Sequence, residues 1–154
     1  PRANGGQTLL YYTGITRLAK GILAHVVGRY LDRDRGTMAT LRQIRALAPC
    51  VADAMSRRDL RAFGQHVHTA WELNKQLDPG STNDPVDALL SRICPHVHGA
   101  KLLGAGGGGF LLMVCRSAEH AAKVRQMLEH EPPNPRARFF DYQVNTTGLV
   151  VTVC

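Results

Sequence analysis

The stretch that most constrains this chain is Lys101–Cys115, which reads Lys-Leu-Leu-Gly-Ala-Gly-Gly-Gly-Gly-Phe-Leu-Leu-Met-Val-Cys. Five glycines, Gly104, Gly106, Gly107, Gly108 and Gly109, fall within six positions between two apolar flanks. In regular structure each costs roughly 0.5–1 kcal/mol relative to alanine. A chain carries that cost where its backbone needs positive φ, or where something must approach the main chain closely. The run that follows, Phe-Leu-Leu-Met-Val, is apolar and of strand length, so the loop is predicted to open directly into a buried strand.

Several glycine-loop chemistries fail on context. Gly104-x-Gly106-x-x-Gly109 matches the dinucleotide string, but that fingerprint needs a strand before it and a helix after it, and here a strand follows. A phosphate-binding Walker loop ends in Gly-Lys-Ser/Thr, whereas Gly109 precedes Phe110. The protein-kinase loop runs strand-loop-strand but requires Val-Ala-Ile-Lys and His-Arg-Asp segments, and the chain has neither. Two readings survive: main-chain N–H groups that line an anion, or a turn that packs tightly against another backbone.

A length of 154 residues is one domain's worth, and 44% hydrophobic with 20% charged residues is ordinary for a globular core. No apolar run approaches the roughly 18 residues of a membrane span, and no signal-peptide layout opens the chain. Cys50, Cys94, Cys115 and Cys154 are scattered without C-x-x-C spacing, the last three in apolar surroundings, which suits reduced thiols in a cytoplasmic protein. The net charge of +7 is spread from Arg2 to Arg138 rather than clustered among aromatics. That scatter argues against nucleic acid, and a positive field suits an anionic substrate such as ATP equally well.

Residues 1–6 read as a linker, the start of a truncated piece, and 7–154 as one domain. Gln7–Tyr12 has strand character and Thr13-Gly14 breaks it. Leu18, Ile22, Val26 and Tyr30, with Ala19 and Leu23 beside them, predict one apolar stripe on a helix that Thr16 can cap. Thr37 or Thr40 opens a second helix, which Pro49 should kink or break. Asp59 caps a third, ended by Asp78-Pro79-Gly80-Ser81. A fourth follows Asn83, with Pro85 in its first turn and Pro95 at its close. Ser117 caps a fifth, and Glu131–Pro135 is a stiff connector. Arg138–Val144 and Leu149–Val153 then read as strands of a hairpin around Asn145–Gly148. This order, neither alternating nor all-helical, predicts an α+β domain with a mostly antiparallel sheet packed against a layer of helices.

Self-contained catalysis finds little support. His66 and His68 share a helix at a spacing that points their rings apart; His96 and His98 could share a face if extended, but two ligands fall short of a zinc site. No Gly-x-Ser-x-Gly elbow or base-assisted cysteine is evident. The chain offers an edge of a phosphate cradle, with no catalytic residue and no metal ligand set of its own.

Ala100–Phe110 resembles the third signature motif of the GHMP small-molecule kinases, in its sugar-kinase variant. Tyr-Tyr-Thr-Gly-Ile-Thr-Arg at 11–17 is similar to fucokinases and heptose-phosphate kinases. Thr69–Lys75 and Pro133–Phe139 resemble bacterial fucokinases fused to a GDP-fucose pyrophosphorylase, and Pro95–Gly99 resembles animal-type fucokinases. The resemblance implies a ferredoxin-like GHMP C-terminal domain of a kinase that phosphorylates the anomeric hydroxyl of L-fucose, with a heptose 7-phosphate kinase as alternative. It implies ATP and Mg²⁺ in the intact enzyme, neither bound by this piece alone. The main phosphate loop, magnesium ligand and catalytic aspartate belong to an N-terminal GHMP domain of the same parent chain. No Pro-x-x-x-Gly-Leu-x-Ser-Ser-like string occurs here, so the piece alone is expected to be inactive.

By the same resemblance Gly104, Ala105, Gly106, Gly107, Gly108 and Gly109 support the phosphate loop beside the nucleotide. Thr13, Gly14, Thr16, Arg17, Trp71 and Lys75 lie near the sugar. From the residues alone Arg17 can equally be a solvated first-turn residue, and Trp71 core with Lys75 on the surface. A stand-alone ferredoxin-like small-ligand or regulatory module is the reading from another class.

Overall fold

The computed structural model describes residues 6–15, 20–144 and 147. Its elements run β1 (Thr8–Tyr12), α1 (Lys20–Leu31), α2 (Arg35–Ser56), α3 (Leu60–Leu77), α4 (Asp84–Ile93), β2 (Val97–Leu102), β3 (Phe110–Cys115), α5 (Ala118–His130) and β4 (Arg138–Phe140). Short 3-10 turns occupy Pro79–Ser81 and Cys94–His96. The sheet order is β2-β3-β1-β4 and all three pairings are antiparallel. The α+β class and antiparallel sheet are as the sequence predicts.

β1 pairs with β3 from Thr8↔Val114 to Tyr12↔Phe110, so Leu9, Tyr11, Leu111 and Met113 share one face. That face joins Trp71 of α3, Leu89 and Ile93 of α4, and Val124 and Leu128 of α5 in one buried cluster. Leu10, Tyr12, Phe110 and Leu112 on the opposite face are only partly buried. There Tyr12 and Phe140 each lie against Phe110, with ring centroids 5.3 and 5.2 Å away.

The helix starts follow capping chemistry. Asp59, Asn83 and Ser117 each accept a hydrogen bond from a first-turn N–H through the side chain. At α2 the cap is Asp34, bonded to Thr37 N at 2.7 Å, rather than Thr37 or Thr40. Helix α2 also runs unbroken through Pro49, against expectation. Packing along α3 keeps the helix continuous on both sides of Pro49 despite the missing hydrogen bond. The strand predicted over 138–144 stops at Phe140, and most of the hairpin beyond lies outside the described residues, as do residues 1–5 of the linker.

Two glycines set the layer contact. Gly64 of α3 and Gly99 of β2 meet so closely that a Cβ on Gly99 would overlap Gly64 O, and one on Gly64 would strike His98 Cβ. Only side-chain-free backbone lets this helix lie directly on this strand.

Candidate functional site

The glycine loop between β2 and β3 has two regions with different fates. Gly104, Gly106, Gly107, Gly108 and Gly109 all have positive φ. The rear of the loop is clamped from both sides by the domain's own main chain. On one side Gly107 N donates to Ser81 O at 2.6 Å, and Asn83 Nδ2 donates to Gly107 O at 2.9 Å. On the other, Gly109 N donates to Ile15 O, while Thr13 donates to Gly109 O through both its amide and its hydroxyl, each at 2.9 Å. A Cβ on Gly106 would overlap Ser81 O, and one on Gly108 would overlap Ile15 O. Of the two readings left open by the sequence, close backbone packing accounts for Gly106 and Gly108.

The front lip, Leu103–Gly106, differs. Leu103 and Gly104 are exposed, and a Cβ on Gly104 would meet nothing within 4 Å. The amides of Gly104, Ala105 and Gly106 have no acceptor among the described residues. Three adjacent donors on a rigidly supported turn can bond the oxygens of a phosphate. The lip is therefore the candidate anion-binding edge of the loop. Magnesium fits less well, because no group of three or more His, Cys, Asp or Glu that could hold an ion occurs among the described residues. Asp78, the acid next to the clamp, is buried and uses its carboxylate on Gly80 N at 2.7 Å and His25 Nδ1 at 3.3 Å.

The predicted site residues thus divide. Thr13 and Gly14 come together with the loop: Thr13 is fully buried beneath it, and Gly14, at φ +71, lies against Asn134. Asn134 Nδ2 donates to Thr13 O at 2.7 Å, pinning the strand end that holds the loop. Thr16 and Arg17 lie outside the described residues. Trp71 and Lys75 stand apart. Trp71 is 1% exposed in the core, its indole N–H without a partner among the described residues, and Lys75 pairs with Glu72 at 2.7 Å. Both line a groove of about 520 Å³ between α3, α4 and β2, and no glycine-loop residue lines it.

Ile15, Ser81, Asn83 and Asn134 support the loop, and sequence reasoning gave them no such role. Asn83 and Asn134 carried faint signals, one as a helix cap and the other inside the proline-rich connector. Ile15 and Ser81 act through carbonyl oxygens, which every residue has. Lys101 sits at the root of the loop, where burial lowers its pKa. Its ammonium donates to Leu102 O at 3.2 Å and, with the Asn74 amide turned to satisfy both its groups, to Asn74 Oδ1 at 2.8 Å. It ties α3 to β2 through neutral oxygens.

The paired-histidine geometry does not form. His96 belongs to a 3-10 turn with its ring 5.5 Å from His120, while His98 lies in β2 against Gly64. Burial, then Arg116 and Arg61, lowers the pKa of His98. Cys94 is exposed rather than set in apolar surroundings; Cys115 is buried, which pushes its thiol up to about 11.

Residues 51–134, just over half of the chain, match the family described as GHMP kinases C terminal, and the chain belongs to that family. Within it, the chain is 40% identical over 94% of its length to an L-fucokinase/L-fucose-1-P guanylyltransferase from Bacteroides fragilis, covering 15% of that protein. It is 39% identical over 79% of its length to a bifunctional fucokinase/GDP-fucose pyrophosphorylase from Arabidopsis thaliana, covering 12% of it. A D-glycero-alpha-D-manno-heptose 7-phosphate kinase from Campylobacter jejuni is 28% identical over 68% of the chain, which covers 31% of that protein. The chain thus spans a small fraction of these relatives. Among solved structures, an L. major mevalonate kinase in complex with R-mevalonate shares the fold at a TM-score of 0.63 and 19% identity, covering 88% of this chain and 42% of its own. The Lin0012 protein from Listeria innocua does so at 0.74 and 12%, covering 88% and 38%.

Proposed function

We propose that this chain is the C-terminal domain of an ATP-dependent sugar kinase that phosphorylates the anomeric hydroxyl of L-fucose. The observation that carries the proposal is the divided glycine loop: a back fixed by Ile15 and Ser81, and a front lip whose three amides find no acceptor among the described residues. Such a lip can steady a phosphate-binding loop supplied by an N-terminal domain of the same polypeptide. That domain would also supply the Mg²⁺ ligand and the group that activates the sugar hydroxyl. Thr13 and Gly14 set the floor of the site, and the family resemblance assigns Thr16 and Arg17, the next residues along the chain, to the sugar. Trp71 acts on the sugar only indirectly, by holding α3 on the sheet, and Lys75, paired with Glu72 on the separate α3 groove, takes no direct part. The enzyme works in the cytoplasm. The preference for L-fucose rests on the two fucokinase relatives near 40% identity.

The intact polypeptide, given ATP and L-fucose, should form fucose 1-phosphate, and the 154-residue chain alone should form none. Turnover by the chain alone would refute the division of labour. A heptose 7-phosphate preference in the same assay would move the assignment to the second reading, which the Campylobacter jejuni relative supports. Saturable binding of a sugar or nucleotide to the chain alone would favour a stand-alone ligand module.

A further inference from the structure

Helix α1 is apolar on two flanks. Ile22 and Val26 face the domain, one buried and the other partly so. Leu23, Val27, Tyr30 and Leu31 face away and are 56%, 53%, 50% and 71% exposed. At roughly 3.6 residues per turn these four fall within about 100° of arc, one continuous outer stripe. A helix apolar around so much of its circumference belongs in an interior.

We propose that the outer stripe of α1 is the surface on which the ATP-binding domain of the same polypeptide docks. The proposal rests on the kinase-domain reading above and adds the place of contact. Three observations select this occupant. The family match is to the C-terminal part of GHMP kinases, and the relatives extend far beyond the aligned segment, so in them this domain has neighbours in the same chain. Next, α1 shares its supports with the glycine loop. It follows the Thr13–Ile15 segment that clamps the loop, and His25 reaches Asp78 beside the Pro79–Ser81 turn that clamps it from the other side. A body resting on the lip is within reach of α1.

The third is charge. At the far end of the stripe Arg33, Arg35 and Arg42 surround a hollow of about 770 Å³ with Tyr30 and Leu31. None of the three arginines forms an ion pair among the described residues. A second copy of this chain, placed face to face, would oppose these cations with themselves. An occupant with an apolar centre and an acidic rim satisfies both halves of the surface.

The test replaces Val27 by the photoreactive p-benzoylphenylalanine in the intact polypeptide and maps its cross-links by mass spectrometry on a mixture of isotope-labelled and unlabelled protein. The expected product is an intramolecular link from α1 to the ATP-binding domain, unchanged on dilution and lost when Leu23→Lys and Leu31→Lys are added. Links between labelled and unlabelled copies, links to any other part of the polypeptide, or no link would each overturn the proposal. An intact polypeptide that phosphorylates neither sugar yet gives the link would sink the substrate assignment and keep the docking surface. Full activity without the link would do the reverse.

Discussion

Replacing Gly106 with alanine separates backbone strain from backbone contact in the glycine loop. Gly106 and Gly104 both have positive φ, +99° and +79°. An alanine at either site therefore bears about 1–2 kcal/mol of left-handed strain. The gain from a stiffer unfolded chain is shared by both variants and cancels in the comparison. The neighbours differ. At Gly104 the new methyl enters open space, whereas at Gly106 it displaces the Ser81 carbonyl that accepts from Gly107 N at 2.6 Å. Losing that bond and leaving a buried amide unpaired adds roughly 2 kcal/mol. For a chain of this size each kcal/mol moves the midpoint by about 2–4 °C. Gly106→Ala should therefore melt ~4–8 °C below Gly104→Ala in calorimetry. Midpoints within about 2 °C of each other would refute the claim that contact, rather than conformation, fixes Gly106.

Thr13→Val keeps the shape of a fully buried side chain and removes its hydroxyl bond to Gly109 O. It should cost about 1 kcal/mol in urea unfolding, and an unchanged midpoint would remove Thr13 from the clamp. Gly99→Ala drives a methyl into Gly64 O, so α3 must lift off β2. Hydrogen exchange should show faster opening of both elements, and wild-type rates would mean the layers have slack. Cys115 titrates near 11 when folded against an ordinary 9.0, so its contribution is fully present below pH 9 and is lost as pH rises toward about 11. Cys115→Ala should flatten the stability profile in that window, and an unaltered slope would assign the decline to other groups. Gly28→Ala, with open space at its Cβ, should raise the midpoint of the 154-residue chain by a few degrees through helix propensity alone. A lower midpoint would show that α1 already packs against something at that position.

Local chemistry was legible in the sequence by itself. Asp59, Asn83 and Ser117 announced helix starts because a short polar side chain can meet an unpaired N–H two or three residues on. The apolar run after the glycines announced β3, and the glycines announced a backbone under special demands. Only the folded structure decided what made those demands. Gly109 meets Ile15 and Gly107 meets Ser81 through main-chain atoms, and no residue type encodes a carbonyl's position across such distances along the chain. The same limit applies to α1. Periodicity placed Tyr30 with Ile22 and Val26 on one stripe, yet Tyr30 is half exposed. A repeat says which side chains share a face, not whether anything covers it. Pro49 stayed helical because packing along α3 outweighed the lost hydrogen bond, a balance visible only once both helices are in place.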